Sequence, residues 1–341
     1  MPTETEHDEE AGGAPPPGPT THPSLDELLL ATSRTFAPGI HALRPSLRRP
    51  IGIAYLVLRV SDFLEDTTSL EDGAKVELLE GWAEALVSGT LPLELRRVLE
   101  AADDGTPDAV AANHVARVFE ALGGLKDGSG EIVARHTASS TRGMARWIRQ
   151  GPHFETEMEL DDYMHEVAGK VGLLLTDLFL ATPGVVRAPR DRMMHLANEF
   201  GLALQTVNVI RGLHEDIHRG WDFVPASFRG TPPGPRDHPA VLRAFTEKAE
   251  RHVLAGVSYI RGLERFGARD VRFFCALPLF LAAGTLRLSR DNPQVFTEPV
   301  KLQRSQVGRT VTLTRILAAS DRWVQWYGLR LLGSTGAHLP R

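Results

Sequence analysis

The stretch from Tyr55 to Asp66, YLVLRVSDFLED, constrains the fold more than any other. Leu56, Val57, Leu58, Val60 and Leu64 give a helix that is apolar nearly all round, and such a helix has to be enclosed by other elements. The same helix carries Asp62 and Asp66, four apart and therefore stacked on one face, with Glu65 beside them. Arg59 precedes Asp62 by three residues and Tyr55 precedes Arg59 by four, so Tyr55, Arg59, Asp62 and Asp66 form one stripe. Carboxylates are costly to bury unless they are paired or bind a metal. Two readings of the stripe follow. One is a helix end reaching solvent with an Arg–Asp pair. The other is a Mg²⁺ site, in which one or two carboxylates hold the ion together with a phosphorylated substrate.

The rest of the chain supplies the enclosure. Its 341 residues, 42% of them hydrophobic, suffice for a sizeable core. Residues 1–22 are rich in Pro, Gly and Glu and read as a disordered tail, leaving 23–335 as a single helical domain. Ser24 and Glu27 form a capping box before a helix at Leu25–Ala31. Pro45 and Pro50 bracket a short element, with Pro50 at the start of the acidic helix. Helical periodicity then covers 71–88, 92–102, 107–125, 130–150, 159–181, 190–218, 240–267, 270–291 and 305–331. Strand signals are almost absent, so the expectation is an all-α fold of about ten or more helices, with any site built between facing helices.

Charge and cysteine content narrow the function. A net charge of −5 gives no argument for a nucleic-acid partner. The single cysteine, Cys275, excludes an internal disulfide framework and reads as a core thiol. The N-terminus has no apolar segment of signal-peptide type, and no apolar run reaches the ~18–20 residues of a membrane span. A soluble, cytoplasmic protein is expected.

A second acidic stretch, NVIRGLHED, lies on the helix at 190–218. Asn208, Gly212 and Asp216 are spaced four and four, with Glu215 on nearly the same face. Gly212 offers no ligand, and Asn208 and Asp216 are roughly 12 Å apart along the axis. This stretch could bind a metal at Glu215 and Asp216 or donate from Asn208. It reads equally as a polar face near a helix end.

SRTF, YLVLRVSDFLED, DYMHEVAGKVG, GLALQTVNVIRGLHED and QVFTEPVKLQRSQV occur in the order and spacing of the squalene/phytoene synthase family, and the wording most resembles its squalene synthase branch. The resemblance covers most of residues 25–315. It implies a class I isoprenoid-synthase helical bundle around a central cavity, where two acidic motifs bind Mg²⁺ and the diphosphate of an allylic substrate. The matching metal-binding positions are Asp62, Glu65 and Asp66 in the first motif and Asn208, Glu215 and Asp216 in the second. Ser33, Arg34, Tyr55 and Arg59 match diphosphate contacts, and Lys301 and Arg304 match a basic segment near the site. Lys170, Gln205 and Arg211 complete the expected substrate contacts.

Three departures from the family pattern stand out. Gly212 replaces an expected aspartate, Glu166 stands where squalene synthases carry a tyrosine, and Lys170 replaces an apolar residue. Glu166 and Lys170 are four apart in the acid-first order that favours pairing. With these changes the expectation moves away from joining two farnesyl diphosphates. It becomes transfer of a short prenyl group, dimethylallyl in the first instance, to an aromatic acceptor such as a carbazole in secondary metabolism. Glu166 would serve as general base, alongside Asp62 and Asp66 as the catalytic metal-binding carboxylates. The alternatives are a squalene or presqualene diphosphate synthase and, below it, a non-catalytic isoprenoid diphosphate-binding subunit.

Overall fold

The computed structural model describes residues 23–33, 36–102 and 104–333. The described residues are 75% helical, and no strand occurs among them. The expected tail at 1–22 lies outside them.

The helices run in order: α1 (Leu25–Thr32), α2 (Ala37–His41), α3 (Pro45–Asp66), α4 (Asp72–Ser88), α5 (Leu93–Glu100), α6 (Pro107–Asn113), α7 (Val115–Gly123) and α8 (Ser129–Gln150). They continue as α9 (Glu157–Met164), α10 (Lys170–Leu180), α11 (Arg190–Asp216), α12 (Pro239–Arg261), α13 (Arg269–Ser289), α14 (Arg304–Leu317) and α15 (Asp321–Leu332). The capping box before α1 is present: Glu27 N donates to Ser24 Oγ at 3.2 Å, and Ser24 N donates to Glu27 Oε2 at 2.6 Å. Thr156 and Glu159 form a second one before α9.

Four boundaries differ from the periodicity. The acidic helix starts at Pro45, and Pro50 lies buried inside it. That proline falls within the first two turns, so it removes a single backbone bond near an end that already lacks partners. The expected helix at 107–125 breaks at His114, whose Nδ1 sits 2.9 Å from the Val110 carbonyl and whose backbone leaves the helical region. The expected helix at 305–331 breaks between α14 and α15, where Ser320 caps α15 by accepting from Trp323 N. The expected helix at 159–181 is continuous in direction but carries a π turn, His165–Gly169, between α9 and α10. There Ser140 of α8 donates to the Glu166 carbonyl at 2.6 Å, a side chain inserted into the backbone ladder.

Helix α13 bears on the expected absence of a membrane span. It spans 21 residues and contains an 18-residue window with a mean hydropathy of 1.5, long and apolar enough to cross a membrane by length and composition. Sixty-seven percent of that window is buried inside the protein, so α13 serves as a core helix here. On α13 itself the fully buried Arg272 is satisfied by main-chain carbonyls of Ala318, Ile260 and Leu263 and by Asp321, which ties α13 to α12 and α15.

The centre is made by α3, α8, α10, α11 and α13. Helix α11 packs on α10, α12 and α13, and α3 packs on α6, α7 and α8. Helix α11 approaches α10 and the π turn before it at glycines. A Cβ on Gly172 would overlap the Ala197 carbonyl, and one on Gly201 would overlap the Ala168 carbonyl. This contact sets the spacing of two walls of the cavity described next.

Candidate active site

Helix α3 ends with its acidic face turned inward. Arg59 pairs with Asp62 one turn ahead and, at 3.0 Å, with Asp108 at the start of α6. Its guanidinium also lies 5.2 Å from the centre of the Tyr55 ring. Burial pushes the Asp62 carboxyl up to about 7; Arg59 pulls it down, while Asp108 and Asp66 add to the rise. Glu65 is buried, 3.4 Å from the Tyr163 hydroxyl, and burial with its neighbours Asp66 and Asp62 holds it well above the usual carboxylate range. Burial likewise raises Asp108 against the pull of Arg59.

The second stretch closes the opposite side. Asp216, at the C-terminal end of α11, is buried, and burial raises its carboxyl against the pull of Arg219. Arg219 sits in the short 3₁₀ turn that follows. One of its nitrogens lies 2.6 Å from Asp216 Oδ1 and the other 3.1 Å from Asp66 Oδ1. The two acidic stretches therefore face one another across a single guanidinium. A Cβ on Gly212 would overlap Asp216 Oδ2, so the Asp216 carboxylate occupies the room a side chain at 212 would need.

Between the two motifs lies a polar cavity of about 530 Å³. Six carboxylates line it: Asp62, Glu65, Asp66, Asp108, Glu215 and Asp216. Against them stand Arg59, Arg211, Arg219 and Lys301. A second, apolar chamber of about 190 Å³ adjoins it, with walls that include Ile51, Leu58, Leu174, Phe200, Leu204 and Phe274. Arg59, Asp62, Val167, Gln205 and Asn208 border both spaces. A charged mouth thus opens directly onto a greasy pocket, an arrangement that suits an amphiphile with an anionic head and a hydrocarbon tail.

Most residues singled out from the sequence converge here. Asp62, Glu65, Asp66, Arg59, Gln205, Asn208, Arg211, Glu215, Asp216 and Lys301 line the polar cavity. Tyr55 lines the apolar chamber, and its hydroxyl donates to the Thr32 carbonyl at 3.2 Å. Ser33 is buried in the loop after α1 and accepts from Phe36 N. Arg34 lies outside the described residues. Arg304, exposed at the start of α14, lines neither space.

Glu166 and Lys170 also line neither space. Glu166 turns back against α8, where it pairs with Lys170 and, at 3.2 Å, with Arg146. A Cβ on Gly143 of α8 would overlap its carboxylate. A general base must reach the proton it abstracts, and this carboxylate is held away from both chambers.

Asp108 and Arg219 were not anticipated. Asp108 reads as an ordinary acidic residue in the first turn of a helix, and Arg219 as a basic residue after a C-terminus. The i+3 spacing of Arg219 from Asp216 was the available signal. The aromatic wall formed by Tyr163, Trp221 and Phe223 was also missed, because Tyr163 comes from a part of the chain distant from the other two.

The donors are hard oxygens in excess over cations, which fits a divalent cation such as Mg²⁺. Among the described residues no three His, Cys, Asp or Glu side chains stand close enough to hold an ion unaided. Oxygens from a bound diphosphate would have to complete the coordination.

The architecture is that of the class I isoprenoid-synthase helical folds. The chain belongs to the squalene/phytoene synthase family, a family of prenyltransferase-type enzymes whose sequence description it matches over residues 29–306. It is 30% identical over 307 residues to squalene synthase 1 of Arabidopsis thaliana, covering 85% of this chain and 70% of that protein. It is 31% identical over 290 residues to squalene synthase of Dictyostelium discoideum, covering 82% of this chain and 67% of that protein. Among solved structures, the complex of TcSQS with BPH1237 superposes with a TM-score of 0.78 at 26% identity, covering 92% of each chain. These likenesses overturn the expectation of dimethylallyl transfer to an aromatic acceptor, since the relatives are squalene synthases. The family binds isoprenoid diphosphate substrates.

Proposed function

We propose that this chain is a squalene synthase-type enzyme that joins two molecules of farnesyl diphosphate to a C30 product, presqualene diphosphate or squalene. The observation that carries the reading is the continuity of the two chambers through Arg59, Asp62, Val167, Gln205 and Asn208. It offers the diphosphate a charged mouth and the prenyl tail an apolar pocket. Squalene synthases among the relatives supply the reaction.

The chemistry follows from the geometry. Loss of pyrophosphate from an allylic carbon leaves a cation on carbon and concentrates negative charge on the departing group. Neutralising that charge is usually the largest single catalytic contribution. Arg59, Arg211 and Lys301 line the polar cavity and would contact diphosphate oxygens, with Arg59 braced by Asp62 and Asp108. Asp62, Glu65, Asp66, Asn208, Glu215 and Asp216 would hold Mg²⁺, which supplies Lewis-acid stabilisation of the leaving group when bound. The aliphatic and aromatic walls keep water from the carbocation, so that the double bond of the second molecule attacks it instead.

The deciding experiment is incubation with farnesyl diphosphate and Mg²⁺, with and without NADPH. The expected result is pyrophosphate release and a C30 product, reduced to squalene only when NADPH is present. Pyrophosphate release with no C30 product would sink the proposed condensation. No release at all would leave only diphosphate binding.

A further inference from the structure

Arg219 is the only side chain among the described residues that pairs with both acidic motifs at once. Its position is built rather than accidental. The 3₁₀ turn Ile217–Arg219 carries it back over the end of α11, and Gly220, at a φ of 84°, lets the chain leave in a left-handed conformation. The side chain is 40% exposed on the side of the polar cavity, so the guanidinium can move without opening the core. On the far side Asp216 leans into the room left by Gly212. The second motif thus has one carboxylate fewer than its family pattern and one guanidinium lying across it.

We propose that Arg219 is a resident cation of this site. It holds Asp66 and Asp216 together before substrate arrives, and yields both carboxylates to divalent metal as its own guanidinium moves onto the diphosphate. A guanidinium is suited to both roles, because its planar fork matches carboxylate and phosphate oxygens alike. Two consequences follow. Divalent metal alone competes with Arg219 and binds weakly, whereas metal and diphosphate together bind with mutual reinforcement. The inference rests on the reading of the cavity as a metal–diphosphate site, and not on which prenyl chain is joined to which acceptor.

The test uses the full chain, Mn²⁺ followed by the electron paramagnetic resonance signal of the free ion, and inorganic pyrophosphate. Wild type is compared with Arg219→Gln and Arg219→Lys. Arg219→Gln is expected to bind Mn²⁺ alone about fivefold more tightly than wild type, and to lose about fivefold of the pyrophosphate-induced gain in affinity. Arg219→Lys, which keeps the charge, stays near wild type in the first measurement. Unchanged or weaker Mn²⁺ binding by Arg219→Gln overturns the proposal, as does a wild type that binds no Mn²⁺ with pyrophosphate present. Should Arg219→Gln not fold, Arg219→Met reads the same two quantities. A wild type that shows the competition yet forms no C30 product removes the squalene reaction and leaves the role of Arg219 standing.

Discussion

Asp216 fills the place of the side chain that Gly212 lacks, its Cγ only 3.1 Å from where a Cβ on Gly212 would sit. The two positions are one turn apart on α11, so what stands at 212 decides where the carboxylate at 216 can go. Gly212→Ala is the simplest probe of that dependence. In a helix interior this change alone is worth about 0.5–1 kcal/mol of added stability. The Asp216 carboxylate is the end of a flexible side chain and can rotate aside. The expected outcome is an unchanged or raised Tm together with roughly tenfold slower pyrophosphate release, because Asp216 is displaced from the cavity. Unchanged turnover would show that the position of Asp216 is irrelevant to the reaction.

The carboxyls of the site make stability depend on pH in an unusual direction. Asp62 is raised to about 7 from its ordinary 3.8, chiefly by burial, and Glu65 is raised well above its ordinary value for the same reason. A group with a raised folded-state pKa binds its proton more tightly in the native protein. Its stabilisation is complete below the unfolded value and is lost as pH rises through the folded one. Metal-free protein should therefore lose Tm between about pH 4 and 7, the window between the ordinary and the raised values of Asp62. Asp62→Asn should flatten that slope in thermal melts across the range. Mg²⁺ with pyrophosphate should restore the wild type at the high end, because metal requires the deprotonated ligand. A wild-type slope that survives Asp62→Asn would place its origin elsewhere.

How far these features could be read in advance depends on whether they are local. The helix at Tyr55–Asp66, its acidic stripe and the capping box at Ser24 are set by neighbours within a turn or two, and all appear where the spacing put them. The second motif was readable for the same reason. Partners from distant elements were not. Nothing local to Asp108 announces Arg59, 49 residues away, and nothing near Glu65 announces the Tyr163 hydroxyl, 98 residues away. Glu166 is the instructive failure. Its i+4 partner Lys170 was visible in the sequence, but the π turn that aims both at α8 arises from a tertiary contact with Ser140. Inferring an aromatic acceptor from those two residues therefore attached function to a pair that faces away from the chambers.

The spacing of the cavity walls gives a third prediction. Gly172 brings α10, and Gly201 the π turn before it, so close to the facing backbone that a methyl group at either would meet a carbonyl, which cannot rotate aside as a side chain can. Gly201→Ala should destabilise the protein by about 1–3 kcal/mol, more than offsetting the gain in helix propensity. The measurement is the denaturant midpoint at unchanged m-value. Since Gly172 and Gly201 both border the apolar chamber, product formation should fall in parallel. A neutral or stabilising effect would mean that the helices can separate freely.

Glu166 permits the most direct separation of structure from catalysis. Its carboxylate is buried, pairs with Lys170 and Arg146, and has no line to either chamber. Removing Glu166 leaves Lys170 with only the Ser139 carbonyl and Arg146 with Asp162, so Glu166→Ala should cost about 1–3 kcal/mol in stability. Replacing both members by apolar groups of similar size, as in Glu166→Leu with Lys170→Met, should recover most of that loss. Turnover per folded molecule should stay within about twofold of wild type in the double variant, because no reacting atom lies within reach of either group. Denaturation midpoints and initial rates at a temperature where every variant is folded supply both readouts. If the double variant regains stability while its rate stays a hundredfold down, Glu166 or Lys170 acts in the reaction despite facing α8, and the exclusion of Glu166 as a proton acceptor fails.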